Sequence, residues 1–326
     1  MRAPHCIRQA MLAGVLLAQA WTTVAHAAEG IRLPGPVGGA DIRSALLPEP
    51  GLYAVAGITV PDNTRFYGPD GTTSARGTSS GLAAAVLAVY PGEVLGGRIG
   101  SMMLGSYAHV KAEIDGLLPT TQDNGFGDIY LEPLFWSRLF PFGGPAQPVP
   151  GNGPPIPWGL AVGLTAGVTF PTGHYDVDKP VNVGLNHYVL SPSVALTYTF
   201  PSLIDYGQAM ELSARLYYNY QYENPDNHYL SGDLVNVDFA ATLRNGPLQF
   251  GLAGSYAKQV KDDQWHGEVV GDGNRAMFLQ LGPVATFAFK VGEQPWEVGF
   301  KALLDIDGDN TLANNIYTLR VGTKFF

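Results

Sequence analysis

Charged side chains recur at even spacing along this chain, and each arrangement suggests a different chemistry. Asp128 and Glu132 share the inward face of a strand with Phe126, Tyr130 and Trp136, and Glu211 and Arg215 share another. Asp238, Lys301, Arg320, Lys324 and Arg98 add mixed charge. Two carboxylates could hydrolyse a glycosidic bond, but four residues along a strand span about 13–14 Å, and catalytic carboxylates stand about 5–9.5 Å apart. The run Asp305-Ile306-Asp307-Gly308-Asp309-Asn310 looks like a calcium loop. That loop needs glycine at its sixth position and glutamate at its twelfth, where this chain has Asn310 and Ile316. His174, His187, His228 and His266 lack metal-ligand spacing with one another. A Ser–His nucleophile is the remaining enzymatic option. His187 is near Ser191 and Ser193, but Ser193 would lie about 20 Å away along an ideal strand, and no acid is placed to orient the ring. With no phosphate loop or dinucleotide fingerprint, the expectation is a chain without catalytic residues, cofactor or metal.

The elements that carry these groups read as long strands. From Ala209 to Gln221 apolar and polar residues alternate: Leu212, Ala214, Leu216, Tyr218, Tyr220 and Tyr222 on one face, Glu211, Ser213, Arg215, Tyr217, Asn219 and Gln221 on the other. Period two puts successive side chains on opposite faces of a strand. The length suits a tilted strand crossing a bilayer, which needs about 9–11 residues. Similar runs occur near 51–60, 79–90, 94–111, 125–138, 157–170, 187–200, 233–244, 247–259, 275–290, 295–306 and 315–326. Connections alternate in length. Tyr90–Glu93, Arg244–Pro247 and Val291–Gln294 are tight, whereas those around Pro69–Gly77, Leu117–Asn124, Gly173–Asn186, Asn224–Gly232, Asp262–Asn274 and Asp307–Asn314 are long and polar. Short periplasmic turns and long outer loops are the pattern of bacterial barrels. Pro141–Pro157 departs from it, as a long proline-rich connection on the periplasmic side.

Residues 1–27 read as an export signal: Arg2 and Arg8, an apolar stretch from Ala10 to Ala20, and an Ala25-His26-Ala27 cleavage pattern. Residues 28–326 would form the barrel domain. The apolar stretch is too short to span as a helix. Cys6 is the only cysteine and precedes the cleavage point, so the mature chain would carry no thiol chemistry. Cleavage removes two cations and no acid, taking the formal net charge from −9 to −11, which argues against nucleic acid as a partner. The 41 glycines and 25 prolines suit tight turns and small lumen-facing side chains.

The segment Gly125-Phe126-Gly127-Asp128-Ile129-Tyr130-Leu131-Glu132-Pro133-Leu134 resembles the outer-membrane proteins labelled phenol-degradation meta-pathway proteins. Pro50–Tyr53, Pro171–Tyr175, Asn182–Asn186 and Leu281–Pro283 extend the resemblance in order across most of the chain. It implies a channel or transporter for hydrophobic or aromatic compounds. The C-terminal aromatic after an alternating strand resembles a barrel assembly signal.

The expectation is therefore an all-β fold, a single up-and-down antiparallel transmembrane barrel of about 12 strands. Eight strands are filled by side chains and 16–18 leave an aqueous channel, so a narrow, partly plugged lumen is expected. Phe126, Asp128, Tyr130, Glu132, Glu211, Arg215, Asp238, Lys301 and Arg320 are the candidates for the solute path. Internal salt bridges that stabilise the barrel are the competing use of these charges. The expected function is passive uptake of small hydrophobic or aromatic solutes, with outer-membrane lipid and the barrel assembly machinery as partners. A lipid- or lipopolysaccharide-modifying enzyme and a plugged structural barrel are the alternatives. A charge at Leu216 should be costly, and one at Asn219 tolerated in a hydrated lumen.

Overall fold

The computed structural model describes residues 35–142 and 155–326. The export-signal reading of residues 1–27 and most of the Pro141–Pro157 connection lie outside the described residues. The strands are β1 (Gly51–Gly68), β2 (Gly71–Val89), β3 (Arg98–Ile114), β4 (Leu118–Phe126), β5 (Ile129–Pro141), β6 (Gly159–Phe170), β7 (Val189–Pro201), β8 (Ala209–Gln221), β9 (Tyr229–Leu230), β10 (Leu234–Asn245), β11 (Leu248–Gln259), β12 (Gln264–Trp265), β13 (Glu268–Val269), β14 (Met277–Val291), β15 (Gln294–Asp309) and β16 (Thr311–Lys324). All pairings in the main sheet are antiparallel; each long strand pairs with the next long strand in sequence, passing over β4 between β3 and β5, β9 between β8 and β10, and β12 and β13 between β11 and β14, and β1 closes the ring by pairing with β16. β4 and β5 are upper and lower parts of one wall strand. Tyr107–Ile114 of β3 pairs with β4, and Arg98–Leu104 pairs with β5. The wall thus has 12 strands, and β9, β12 and β13 form a small sheet in the outer loops.

Closure follows from the solvent. Hydrocarbon offers no partner to backbone N–H and C=O groups, so a spanning sheet must bond to itself all round. The alternation then sorts the side chains. Leu212, Leu216, Leu252, Phe300 and Leu319 are exposed on the outer face, while the residues between them turn inward. Aromatic rings edge this apolar belt. Phe170, Tyr188, Tyr222 and Tyr220 meet edge to face at the outer end. Phe142, Tyr198 and Phe200 group at the other end. Ten residues separate Tyr188 from Tyr198, about 34 Å along the strand. A tilt of about 35–45° reduces that to about 24–28 Å, the height of the apolar band of an outer-membrane barrel.

The outer ends differ from the sequence expectation. Three presumed loops are strand. Gly68 and Gly71 flank a tight turn and prolong β1 and β2. Residues 118–126 form β4, and Asn310 alone turns β15 into β16. These extensions have a reason to stay paired. Phe66, Ala75, Ile114 and Leu118 form an apolar cluster on their inner face, with Leu312 and the loop residue Val181 packed against it.

Candidate functional site

Two local events decide which side chains reach the lumen on the β4–β5 wall strand. At Gly127–Asp128 the ladder is interrupted, so Phe126 pairs with outward-facing Tyr107 whereas Tyr130 points inward. At Glu132–Leu134 the register shifts again. Pro133 has no N–H to donate to a ladder, and three residues oppose two there. Inward positions therefore pass from Tyr130 and Glu132 to Phe135 and Ser137. Trp136 turns outward, and its Nε1–H donates to the Val94 carbonyl at 2.7 Å.

Two expected lumen residues are thereby relocated. Phe126 is 71 % exposed and packs edge to face on Tyr107, outside the lumen. Asp128 sits at the strand break and latches an outer loop, accepting N–H bonds from Gly173 at 2.8 Å and Leu185 at 2.7 Å.

Glu132 and Arg215 meet across the interior. Arg215 Nη2 donates to Glu132 Oε1, and Arg215 Nε donates to Ser193 Oγ at 3.0 Å. Tyr130 adds a bond to the same carboxylate at 2.9 Å. The guanidinium also lies 4.7 Å from the Tyr217 ring centre and 5.2 Å from that of Phe135. Glycines on β6 make room for this cluster. A Cβ at Gly163 would stand 2.7 Å from the Phe135 ring, and one at Gly167 would collide with the Tyr130 hydroxyl.

Asp238, Glu211, Lys301, Glu297 and Arg98 hold residues 36–49, a segment that sequence reading missed. It runs inside the barrel. Asp238 accepts the backbone N–H groups of Gly38, Gly39 and Ala40 at 2.8–3.1 Å, and the Ser255 hydroxyl at 2.8 Å. Glu211 accepts the Arg43 N–H at 2.8 Å. Ser44 and Ala45 bond to Ser213 and Thr197, and Ser137 donates to the Ala45 carbonyl. Lys301 pairs with Asp41 and the Gly38 carbonyl, and Arg43 pairs with Glu297. Near the periplasmic end Arg98 bonds to Leu47 O and Glu49. The signal available in the sequence was the composition of this stretch: glycine, alanine and the polar residues Asp41, Arg43, Ser44 and Glu49, with no strand period, between the export signal and the first strand.

The segment leans on the polar wall of β5, β7, β8 and β10. Against β1, β2, β15 and β16, where Gly57, Ala83, Ala85 and Gly299 stand among larger side chains, it leaves a cavity of about 290 Å³. Val55, Gly57, Ala83, Leu104, Lys301 and Arg320 are among its lining. Asn219, expected to face bulk water in the lumen, is fully buried and bonds to Ser191, Leu234 O and Asn236. A charge there would be desolvated, which overturns the expectation of tolerance.

The outer mouth is covered on one side by residues 173–186. Asp123 gathers His174 at 3.0 Å, Lys179 at 2.9 Å and the Val183 N–H at 3.1 Å. Asn186 and Tyr175 tie this loop to Asn224 in the next. The pairs considered for catalysis are engaged elsewhere. His187 Nε2 meets Gln221 Oε1, Ser191 donates to Asn219, and Ser193 accepts from Arg215. Asp305 of the calcium-like run accepts bonds from Arg65 and Tyr67.

A closed sheet with an apolar belt, aromatic girdles and a polar interior defines a transmembrane β-barrel of the outer-membrane type. The chain belongs to the family described as "Putative MetA-pathway of phenol degradation", whose model matches residues 62–321. Among solved structures it is similar to an outer membrane channel from Pseudomonas putida F1, at 16 % identity and a TM-score of 0.70, covering 90 % of this chain and 100 % of that one. It is also similar to the transport unit of the autotransporter AIDA-I from Escherichia coli, at 10 % identity and a TM-score of 0.50, covering 94 % and 97 %. These likenesses are of fold. Curated proteins give no match.

Proposed function

We propose that this barrel carries small aromatic or hydrophobic compounds across the outer membrane by passive diffusion. The observation that supports it best is the uneven filling of the lumen. Residues 36–49 occupy the polar wall and leave a cavity of about 290 Å³ beside small and apolar side chains. Small-molecule pockets begin at about 300 Å³ and are mostly apolar with a few placed polar groups. That volume suits a one-ring compound better than an oligosaccharide. The family name and the channel title of the Pseudomonas putida structure point the same way. On this reading Lys301 and Arg320 border the path, while Tyr130, Glu132, Arg215, Glu211 and Asp238 fix its shape. The export signal is removed after Ala27, the assembly machinery inserts the barrel, and lipid surrounds its belt.

Deletion of the gene should slow growth on an aromatic substrate when it is scarce, and the defect should shrink when it is abundant. The purified barrel in planar bilayers should pass a small current. The hydrogen bonds that seat residues 36–49 favour a second reading, a plugged structural barrel. Unchanged uptake in the deletion strain together with no current would select it.

A further inference from the structure

Of the two cavity-lining cations, Lys301 and Arg320, Arg320 is the one with no hydrogen bond or close ion pair among the described residues, and its charge reaches Asp41 and Glu297 only at longer range. The two other basic groups near it are taken. Lys301 bonds to Asp41 and the Gly38 carbonyl, and Arg43 bonds to Glu297. Those pairings engage Asp41 and Glu297, the two acids on which the Arg320 charge also acts. No described acid or carbonyl lies within ion-pair or hydrogen-bond distance of the Arg320 guanidinium. Its position is built by its neighbours. Arg320 pairs with Gly57 of β1 and Gly299 of β15. A Cβ at Gly299 would stand 2.8 Å from Arg320 Nε, and one at Gly57 would stand 3.3 Å from Arg320 Cβ. Two glycines thus let this side chain lie along the wall at the cavity edge. Around it the lining is Val55, Ala83, Ala85, Leu104, Leu303 and Ile316, with the Thr318 hydroxyl beside it.

We infer that this cavity binds a small aromatic carboxylate, with Arg320 taking the carboxylate and the apolar lining taking the ring. A guanidinium presents a planar fork of donors that matches two carboxylate oxygens. In a partly dehydrated cavity a lone cation is costly unless it is paired. A neutral phenol fills the apolar part and leaves the guanidinium fork without a close acceptor, whereas a monoanionic ring compound satisfies both. A dianion meets the Asp41 and Glu297 side with only one free cation. The inference rests on the channel reading for the route to the cavity, but the binding itself can be tested without transport.

The test is calorimetric titration of the full, detergent-solubilised barrel with sodium benzoate and with benzamide, which has the same shape and no charge. Benzoate should bind about tenfold tighter or more, the value of a charge-assisted hydrogen bond. Arg320→Gln should bring benzoate down to the benzamide level. Ala83→Leu, which fills the cavity and keeps Arg320, should abolish both. Heat-modifiable migration on gels verifies that each variant is folded, and the wild-type comparison needs no variant. Equal affinity for benzoate and benzamide, or benzoate binding untouched by Arg320→Gln, overturns the inference; so does the absence of benzoate binding by wild type. Planar-bilayer current separates this from the channel reading. A barrel that binds benzoate and conducts nothing rejects the channel alone, and one that conducts without binding benzoate rejects the site alone.

Discussion

Replacing Arg215 by methionine should be among the most damaging changes in the lumen. Arg215 and Glu132 are 6 % and 2 % exposed, so the carboxylate left behind has no water to turn to. Its remaining partner would be the Tyr130 hydroxyl. Removing one member of a buried ion pair costs about 3–5 kcal/mol. The lost Ser193 bond, about 1 kcal/mol, and the two lost ring faces, about 0.5–1 kcal/mol each, place Arg215→Met toward the upper end of that range. Adding Glu132→Gln removes the stranded charge, so the double variant should be more stable than Arg215→Met alone. The coupling between the two sites should be about 2–3 kcal/mol. Urea unfolding of the barrel in phospholipid vesicles, followed by tryptophan fluorescence, measures all four states. Additive costs below about 1 kcal/mol each would refute the reasoning and mean that water reaches the pair.

Leu216→Arg places a charge on the lipid face and should cost about 2–4 kcal/mol near the midplane, read by the same unfolding assay. Asn219→Leu should cost about 1–3 kcal/mol by orphaning Ser191, Asn236 and the Leu234 carbonyl, and a neutral effect would contradict the buried network. Asp238→Ala removes the acceptor of three backbone N–H groups. It should free residues 36–40 from the wall, seen as faster amide exchange there and a larger, noisier current. In the outer loops burial raises the Asp233 carboxyl, but the Lys261 ammonium, Tyr218 hydroxyl and Gln221 N–H outweigh it and hold its pKa below the usual aspartate value. A lowered acid contributes stability above its unfolded pKa and loses it as pH falls through the folded one. Amide exchange at 222–233 should therefore accelerate only below about pH 4, and Asp233→Asn should show the faster rate already at neutral pH.

The wall was legible because hydrocarbon demands an apolar residue at every second position. In β7, β8 and β10 burial alternates residue by residue, and in β8 the predicted faces agree with it. Above the membrane the demand ends. Residues such as Thr72, Thr73 and Ser74 are polar whichever way they point, so the extensions of β1 and β2 read as loop. The β4–β5 strand misled for another reason. Period two assumes an unbroken ladder, and the interruption at Gly127–Asp128 and the bulge at Pro133 each exchange the faces. Phe126 and Trp136 were assigned inward on that assumption. Lumen charges were recognisable as inward-facing, but the partners of Asp238, Glu211 and Lys301 lie in residues 36–49. That stretch has no period, and its contacts are set by where the closed barrel brings distant residues together.

The N-terminal segment also bears on the order of assembly. Gly38 meets Asp238, Arg43 meets Glu297, and the Gly38 carbonyl meets Lys301, so residues emerging first depend on strands made some 200 to 263 positions later. Contacts of such separation are slow to form, because a long loop must be closed before any of them is made. Until β15 is in place, the Asp41 carboxylate and the Arg43 guanidinium lack their ion-pair partners, and until the segment enters, Lys301 lacks its own and Asp238 keeps only the Ser255 hydroxyl. Cylinder closure and lumen filling thus mature together. A barrel caught before the last seam, β1 against β16, would present a wet, charged interior. The native interior, with its charges paired, arises only when residues 36–49 and the last strands come into register.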